Sequence, residues 1–229
     1  MPVVLPVGHY DAGPAVGPAA APVTAVFVLL CALVFVGPQD RGRDGAWAQT
    51  YGAVPADVAG TFATPPTDES DGARPWAPLT LMTSLVAHAS WSHLFYNLLA
   101  LWVFGMAVER AVGSARMLAL YLGVGVLAGA AEVVASAGSS VPIVGASGAV
   151  AAAAGAFAVG FPNARVLVAA LFLTVPVPAW VALALWAAVE VVAGATAPAS
   201  GTGIAHTAHM VGFVLGALAG IALLRPRRA

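Results

Sequence analysis

Long apolar runs alternate with short polar interruptions along this chain, at the spacing of membrane-crossing helices. The first run extends from about Ala21 to Val36, within a stretch from Ala12 to Gln39 that holds no charge. A second covers about His93 to Val108 and stops at Glu109-Arg110 and Gly113-Ser114. A third runs from about Met117 to Ala135 and is closed by Gly138-Ser139-Ser140-Val141-Pro142. The fourth, about Ser147 to Phe161, ends at Pro162-Asn163. Val166 to Val192 is apolar but broken by Pro176 and Pro178, which places a fifth helix at about Ala179 to Val192 and leaves Arg165 to Val175 partly at the membrane interface. A turn rich in Gly, Pro and Thr, Gly194 to Gly203, precedes the sixth run, about Ile204 to Leu224. Continuous apolar runs of this length read as transmembrane helices, whereas a membrane β-barrel would show strict alternation. The expected fold is all-α: a polytopic membrane protein with six helices.

Between the first two runs lies a polar insert, residues 37–78. It carries Asp40, Asp44, Asp57, Asp68, Glu69 and Asp71 against Arg41, Arg43 and Arg74. Prolines 55, 65, 66, 75 and 78 exclude one long helix, so short helical pieces in a structured loop are expected. Residues 1–20 read as a flexible N-terminal tail, 21–224 as one membrane domain, and 225–229 as a basic tail. The first run has no Lys or Arg before it and no early A-x-A site, and so reads as an anchor rather than a cleaved signal.

Composition agrees. Only 8% of residues are charged and the mean hydropathy is +0.90, against roughly 25% charged in soluble domains. A net charge of −1 offers nothing to nucleic acid. The lone cysteine, Cys31, reads as a small core residue. Every basic residue is arginine, a bias that points to a bacterial source. With six spans, Arg110, Arg116, Arg165, Arg225, Arg227 and Arg228 share one side, and the acidic insert falls on the other. The positive-inside rule then makes both termini cytoplasmic and the insert external, in a multi-pass protein of the plasma membrane.

Candidate chemistry gathers at one depth. Spans two, four and six all begin at the outer face, and near their starts stand His93 and Asn97, Ser147, and His209. A serine hydroxyl needs a neighbouring base to act as a nucleophile, and histidine is the usual one. Small residues on span four (Gly148, Ala152, Gly155, Ala156) and span six (Ala208, Gly212, Gly216, Gly220) would let two backbones approach closely enough to join Ser147 to His209. No acid stands near His209 in sequence, so a dyad is expected rather than a triad. His93 and Asn97, at i and i+4, share a helix face and can donate to a developing oxyanion, as can the Ser147 N–H at a helix start.

The ordered set His93-x-x-x-Asn97, Gly145-x-Ser147-Gly148 and Ala208-His209-x-x-Gly212-x-x-x-Gly216 resembles the rhomboid intramembrane serine proteases, over about residues 79–224. Val108-Glu109-Arg110 with Gly113-Ser114-Ala115-Arg116 is similar to that family's loop after its second span. The resemblance implies a six-helix rhomboid-like bundle in which Ser147 is the nucleophile and His209 the general base. His93, Asn97 and the Ser147 amide then form the oxyanion hole, with Gly145, Gly148, Gly212 and Gly216 as supporting motif positions. It further implies transmembrane protein substrates cut within the lipid bilayer, near the outer face, and no cofactor. It leaves the oligomeric state open. Where many bacterial members carry an aromatic residue stacked on the histidine, this chain has Ala151, which moves that support to Trp180 or Trp186.

Other readings compete. A G-x-S-x-G elbow is absent because residue 149 is alanine. His88, His93, His206 and His209 suggest a metal or haem site, although no H-E-x-x-H accompanies them. A catalytically silent relative that binds and escorts membrane proteins is the second alternative. His88 and His206 are otherwise expected to face water near the interface, and His9 to lie in the tail. Glu132 and Glu190 are expected to serve hydration or gating, and Glu109 to pair with a nearby arginine. The remaining Trp and Tyr residues suit belt or packing roles.

Overall fold

The computed structural model describes residues 5–10, 18–39, 46–63, 76–170, 173–196 and 204–224. The basic tail 225–229 lies outside the described residues, as do Asp40, Arg41, Arg43, Asp44, Asp68, Glu69, Asp71 and Arg74 of the insert and most of the turn before the last helix.

Helices occur at all six expected positions. Four are long and apolar enough to cross a membrane: α1 (Pro22–Gln39), α5 (Trp91–Val112), α6 (Ser114–Ala135) and α9 (His206–Leu224). Two more, α7 (Ser147–Gly160) and α8 (Ala179–Ala195), are apolar but shorter. At 14 residues, α7 measures about 21 Å against a hydrocarbon layer of about 30 Å. The described part of the insert folds as expected into short pieces, α2 (Ala46–Tyr51) and α3 (Pro55–Ala63), followed by α4 (Ala77–Val86). Ala53 bridges Ile143, and with Val58, Leu81 and Val133 it forms a small apolar cluster against α6.

Local chemistry sets the helix ends. Ser90 caps α5, its Oγ accepting the His93 N–H. Gly113, at φ +86°, supplies the left-handed turn between α5 and α6 that a side chain would resist. Glu109 is fully buried. Its carboxylate accepts from the N–H groups of Val23 and Thr24 at the start of α1 and from Ser114 Oγ, so its partners here are backbone amides and a hydroxyl. Those amides have no partner within their own helix, and an anion placed at a helix N-terminus also complements its dipole. The sequence therefore keeps a carboxylate in an apolar run because it ties α1 to the α5–α6 turn.

The centre of the bundle is the pairing of α7 with α9. They run parallel in constant register: Gly148 on Gly212, Ala152 on Gly216, Ala156 on Gly220, and Gly160 on Leu224. A Cβ at Gly212 or Gly216 would collide with the backbone carbonyl oxygen of Gly148 or Ala152, and one at Gly155 with that of Phe213. Around this seam Phe104, Phe157, Leu101 and Tyr121 fill the core. Tyr121 stacks on Phe27 at 3.8 Å and donates its hydroxyl to the Leu85 carbonyl at 3.1 Å.

One element departs from the expected pattern. A three-stranded antiparallel sheet, in order β1-β2-β3, joins β1 (Leu5–Tyr10), β2 (Arg165–Ala170) and β3 (Leu173–Pro178). Residues 5–10, including His9, thus form a strand where a flexible tail was expected. The hairpin β2–β3 occupies the segment assigned to the interface. Its prolines sit on an edge strand, the position in a sheet that tolerates a missing N–H.

Because the α7–α9 seam has no room for a side chain, Gly216→Val is expected to force the helices apart and lower stability by about 2 kcal/mol or more. Thermal unfolding of the purified variant in detergent checks this.

Candidate active site

The seam brings Ser147 and His209 together. Ser147 opens α7 and His209 lies in the first turn of α9, and the Ser147 Oγ to His209 Nε2 distance is 2.8 Å. The helix starts of α5, α7 and α9 meet at one end of the bundle, as expected from the sequence. They line a cavity of about 740 Å³ with His93, Asn97, Ser147, Trp186, Glu190 and His209 on its wall.

Gly145 makes that meeting possible. Its φ of +132° is rarely open to a side chain, and a Cβ there would stand 2.7 Å from His93 Cε1 and 3.5 Å from Ser147 Oγ. The His93 ring thus lies directly against the strand that delivers Ser147. His93 Nδ1 faces the Ala89 N–H at 3.4 Å, which makes Nδ1 the acceptor and assigns the ring proton to Nε2, on the Gly145 side. Asn97 is buried and donates one amide N–H to the His93 carbonyl at 2.9 Å, leaving its second for the cavity. The Ser147 N–H is among the first amides of its helix and has no acceptor within it. His93, Asn97 and Ser147, each with a donor to offer, thus line the same cavity. Gly148, Gly212 and Gly216 serve the seam rather than the chemistry.

Sequence reasoning missed the acid. Glu190 Oε2 lies 2.9 Å from His209 Nδ1 and 2.7 Å from His206 Nδ1. The expected dyad therefore has a carboxylate at its far side, supplied by α8 rather than by sequence neighbours. Glu190 points at these two histidines, and His206 faces Glu190 rather than open water. Glu132, also expected to serve hydration, caps α9 by accepting the Ala208 N–H at 3.0 Å. Of the two tryptophans proposed to replace the missing aromatic, Trp186 lies near the base, its ring 6.3 Å from that of His209, whereas Trp180 is exposed.

His88 also departs from its expected, water-facing place. It is fully buried because Gln39 grips its backbone through both its N–H and its carbonyl, and neither ring nitrogen has a partner. Burial, reinforced by the adjacent His93, pushes its imidazole down to about 4.

The four histidines considered above for a metal or haem site fall into two pairs. His88 pairs with His93, at 5.2 Å between ring centres, and His206 with His209 at 6.3 Å. Glu190, His206 and His209 offer ligand atoms within 4.8 Å of one another. Both Nδ1 atoms also sit at hydrogen-bonding distance from one carboxylate oxygen, a geometry in which an ionised Glu190 accepts from both rings.

Comparison with known proteins identifies the family. Residues 75–226 match the family described as the Rhomboid domain. Over 56 residues, 24% of this chain, the sequence is 46% identical to "Rhomboid protease GluP" of Bacillus subtilis (strain 168), covering 11% of that protein. Over 47 residues, 20% of this chain, it is 38% identical to "Putative rhomboid protease YdcA" of the same organism, covering 24% of it. The matched stretches thus span well under half of either relative's length.

Gly145→Ala is expected to displace His93 and reduce turnover by about 10-fold or more, read as kcat on a transmembrane reporter. A second expectation concerns pH. Since the folded His88 stays neutral down to about 4 while an unfolded histidine protonates near 6.5, stability is full above pH 6.5 and falls as pH drops toward 4. The unfolding midpoint followed from pH 7.5 to 4.5 checks this, and the slope should flatten in His88→Phe.

Proposed function

The chain belongs to the rhomboid family, and from that premise we propose that it is an intramembrane serine endopeptidase acting through Ser147 and His209. The observation that carries the reading is the 2.8 Å contact between Ser147 Oγ and His209 Nε2 at the wall of a cavity that also holds three oxyanion donors.

The chemistry follows from those atoms. Ser147 Oγ attacks the scissile carbonyl carbon while its proton passes to His209 Nε2. The carbonyl oxygen becomes an oxyanion facing the Ser147 N–H, His93 Nε2–H and Asn97 Nδ2–H, donors already held in place by the helices. The C–N bond then breaks as the imidazolium returns its proton to the leaving amine. Water enters next and bonds through its oxygen to the acyl carbon as its proton passes to His209; the C–Oγ bond then breaks, and His209 returns that proton to Ser147 Oγ, freeing the carboxyl product.

The substrate is a transmembrane segment of another membrane protein. A helix hides its carbonyls in its own hydrogen bonds, so the segment must unwind locally before Ser147 can reach one, which favours substrates with helix-breaking residues near the cut. The placement of arginines supports an orientation with both termini cytoplasmic and the site near the outer face, and their use in place of lysine supports a bacterial plasma membrane. The silent-escort alternative is disfavoured because nucleophile and base stand at hydrogen-bonding distance and the donor residues line the same cavity.

Cleavage of a transmembrane reporter in liposomes tests the reading. Ser147→Ala and His209→Ala are each expected to lower kcat by about 10³-fold or more without loss of folding. Cleavage that survives Ser147→Ala would refute the assignment, and reporter binding without cleavage by the parent protein would favour the escort.

A further inference from the structure

Helix α8 is the least buried of the helices that line the cavity. Leu185, Val189, Val191 and Val192 are exposed on its outer side, and among its own residues only Ala179 and Leu183 are buried. Its single charged residue, Glu190, does not join that outer face. It is 14% exposed and lies with Trp186, one helical turn earlier, on the cavity wall against His209. A carboxylate in an apolar helix is costly unless it is partnered, and a role in hydration alone would point it outward.

One oxygen, Oε2, stands within hydrogen-bonding distance of both His206 Nδ1 and His209 Nδ1. A carboxylate only accepts, so each histidine donates through Nδ1–H. For His209 this fixes the tautomer: with the proton on Nδ1, the lone pair on Nε2 faces the Ser147 hydroxyl 2.8 Å away. The opposite tautomer would present Nε2–H to Ser147 and could not take its proton. We infer that Glu190 is a positioning residue that holds His209 in its base-competent tautomer and orientation, and that His206 secures the same carboxylate oxygen by donating to it from the neighbouring turn.

This inference rests on the proposed protease reading and extends it from two residues to four. Glu190 takes no proton in the cycle. It remains ionised and stabilises the imidazolium formed when Ser147 gives up its proton, a task in which removing the partner costs rate rather than substrate affinity. His206 touches neither substrate nor serine, and acts only through Glu190.

The test uses the full chain in liposomes with the transmembrane reporter, together with labelling of Ser147 by a fluorophosphonate, which reports serine reactivity without substrate binding. Glu190→Ala is expected to lower kcat and the labelling rate by about 10²-fold or more while KM stays within about twofold. Glu190→Gln keeps the shape and an acceptor oxygen but not the charge, and should fall by about 10-fold. It also serves as the reading should Glu190→Ala fail to fold. His206→Ala should lower kcat by several-fold alone and have no further effect in the Glu190→Ala background, because both act on one bond. A folded Glu190 variant with parental kcat and labelling rate, a loss confined to KM, or additive effects of the two substitutions would overturn the inference. Ser147→Ala, run alongside, separates the cases: activity surviving there overturns the protease reading itself.

Discussion

Everything at the site depends on how closely the backbones of α7 and α9 approach. Lipid is as apolar as any leucine, so two helices in a bilayer gain little from hiding apolar side chains and must rely on surface fit. Here the fit is made by removing side chains. Gly212, Gly216 and Gly220 lie on the main chain of Gly148, Ala152 and Ala156. That seam sets the distance between the helices, and the distance sets the Ser147–His209 contact. Any residue that widened the seam would lengthen a hydrogen bond on which the chemistry turns.

Polar groups elsewhere in the apolar body follow one rule: each is kept where it satisfies an otherwise orphaned partner. Glu109 accepts from the first amides of α1, Glu132 from an amide of α9, and Glu190 from two imidazoles. Two of the three therefore serve as helix caps and the third serves two rings. His88 and Thr24 depart from the rule. The ring nitrogens of one and the hydroxyl of the other lack hydrogen-bond partners among the described residues, and the histidine is tolerated because it stays uncharged.

The helices were legible because apolar runs are continuous and their breaks are marked by Pro, Gly and charge. The pairing of α7 and α9 was legible too, since small residues at every fourth position advertise close contact on both. Three things were hidden. Apart from Arg165 and Thr174, the strands β2 and β3 are apolar at every position, so a period of two leaves no trace. His88 is buried by Gln39, a contact 49 residues away in sequence. The role of Glu190 depends on which face of α8 turns inward, and a helix with one charge and exposed valines and leucines around it carries too little asymmetry to decide that. The expectation of a dyad has the same cause: proximity in sequence was the only guide to an acid.

The short length of α7 has a consequence of its own. Its far end is level with that of α9, since Gly160 packs on Leu224, yet α9 begins three residues before His209 and Ser147 is the first residue of α7. The shortfall therefore falls at the serine's end, where α7 stops about one helical turn below the rim set by α9. A bilayer meeting a helix too short for it must thin or be displaced by water. On the protease reading, Ser147 is thus recessed below that rim, where the mismatch gives water a route to the nucleophile.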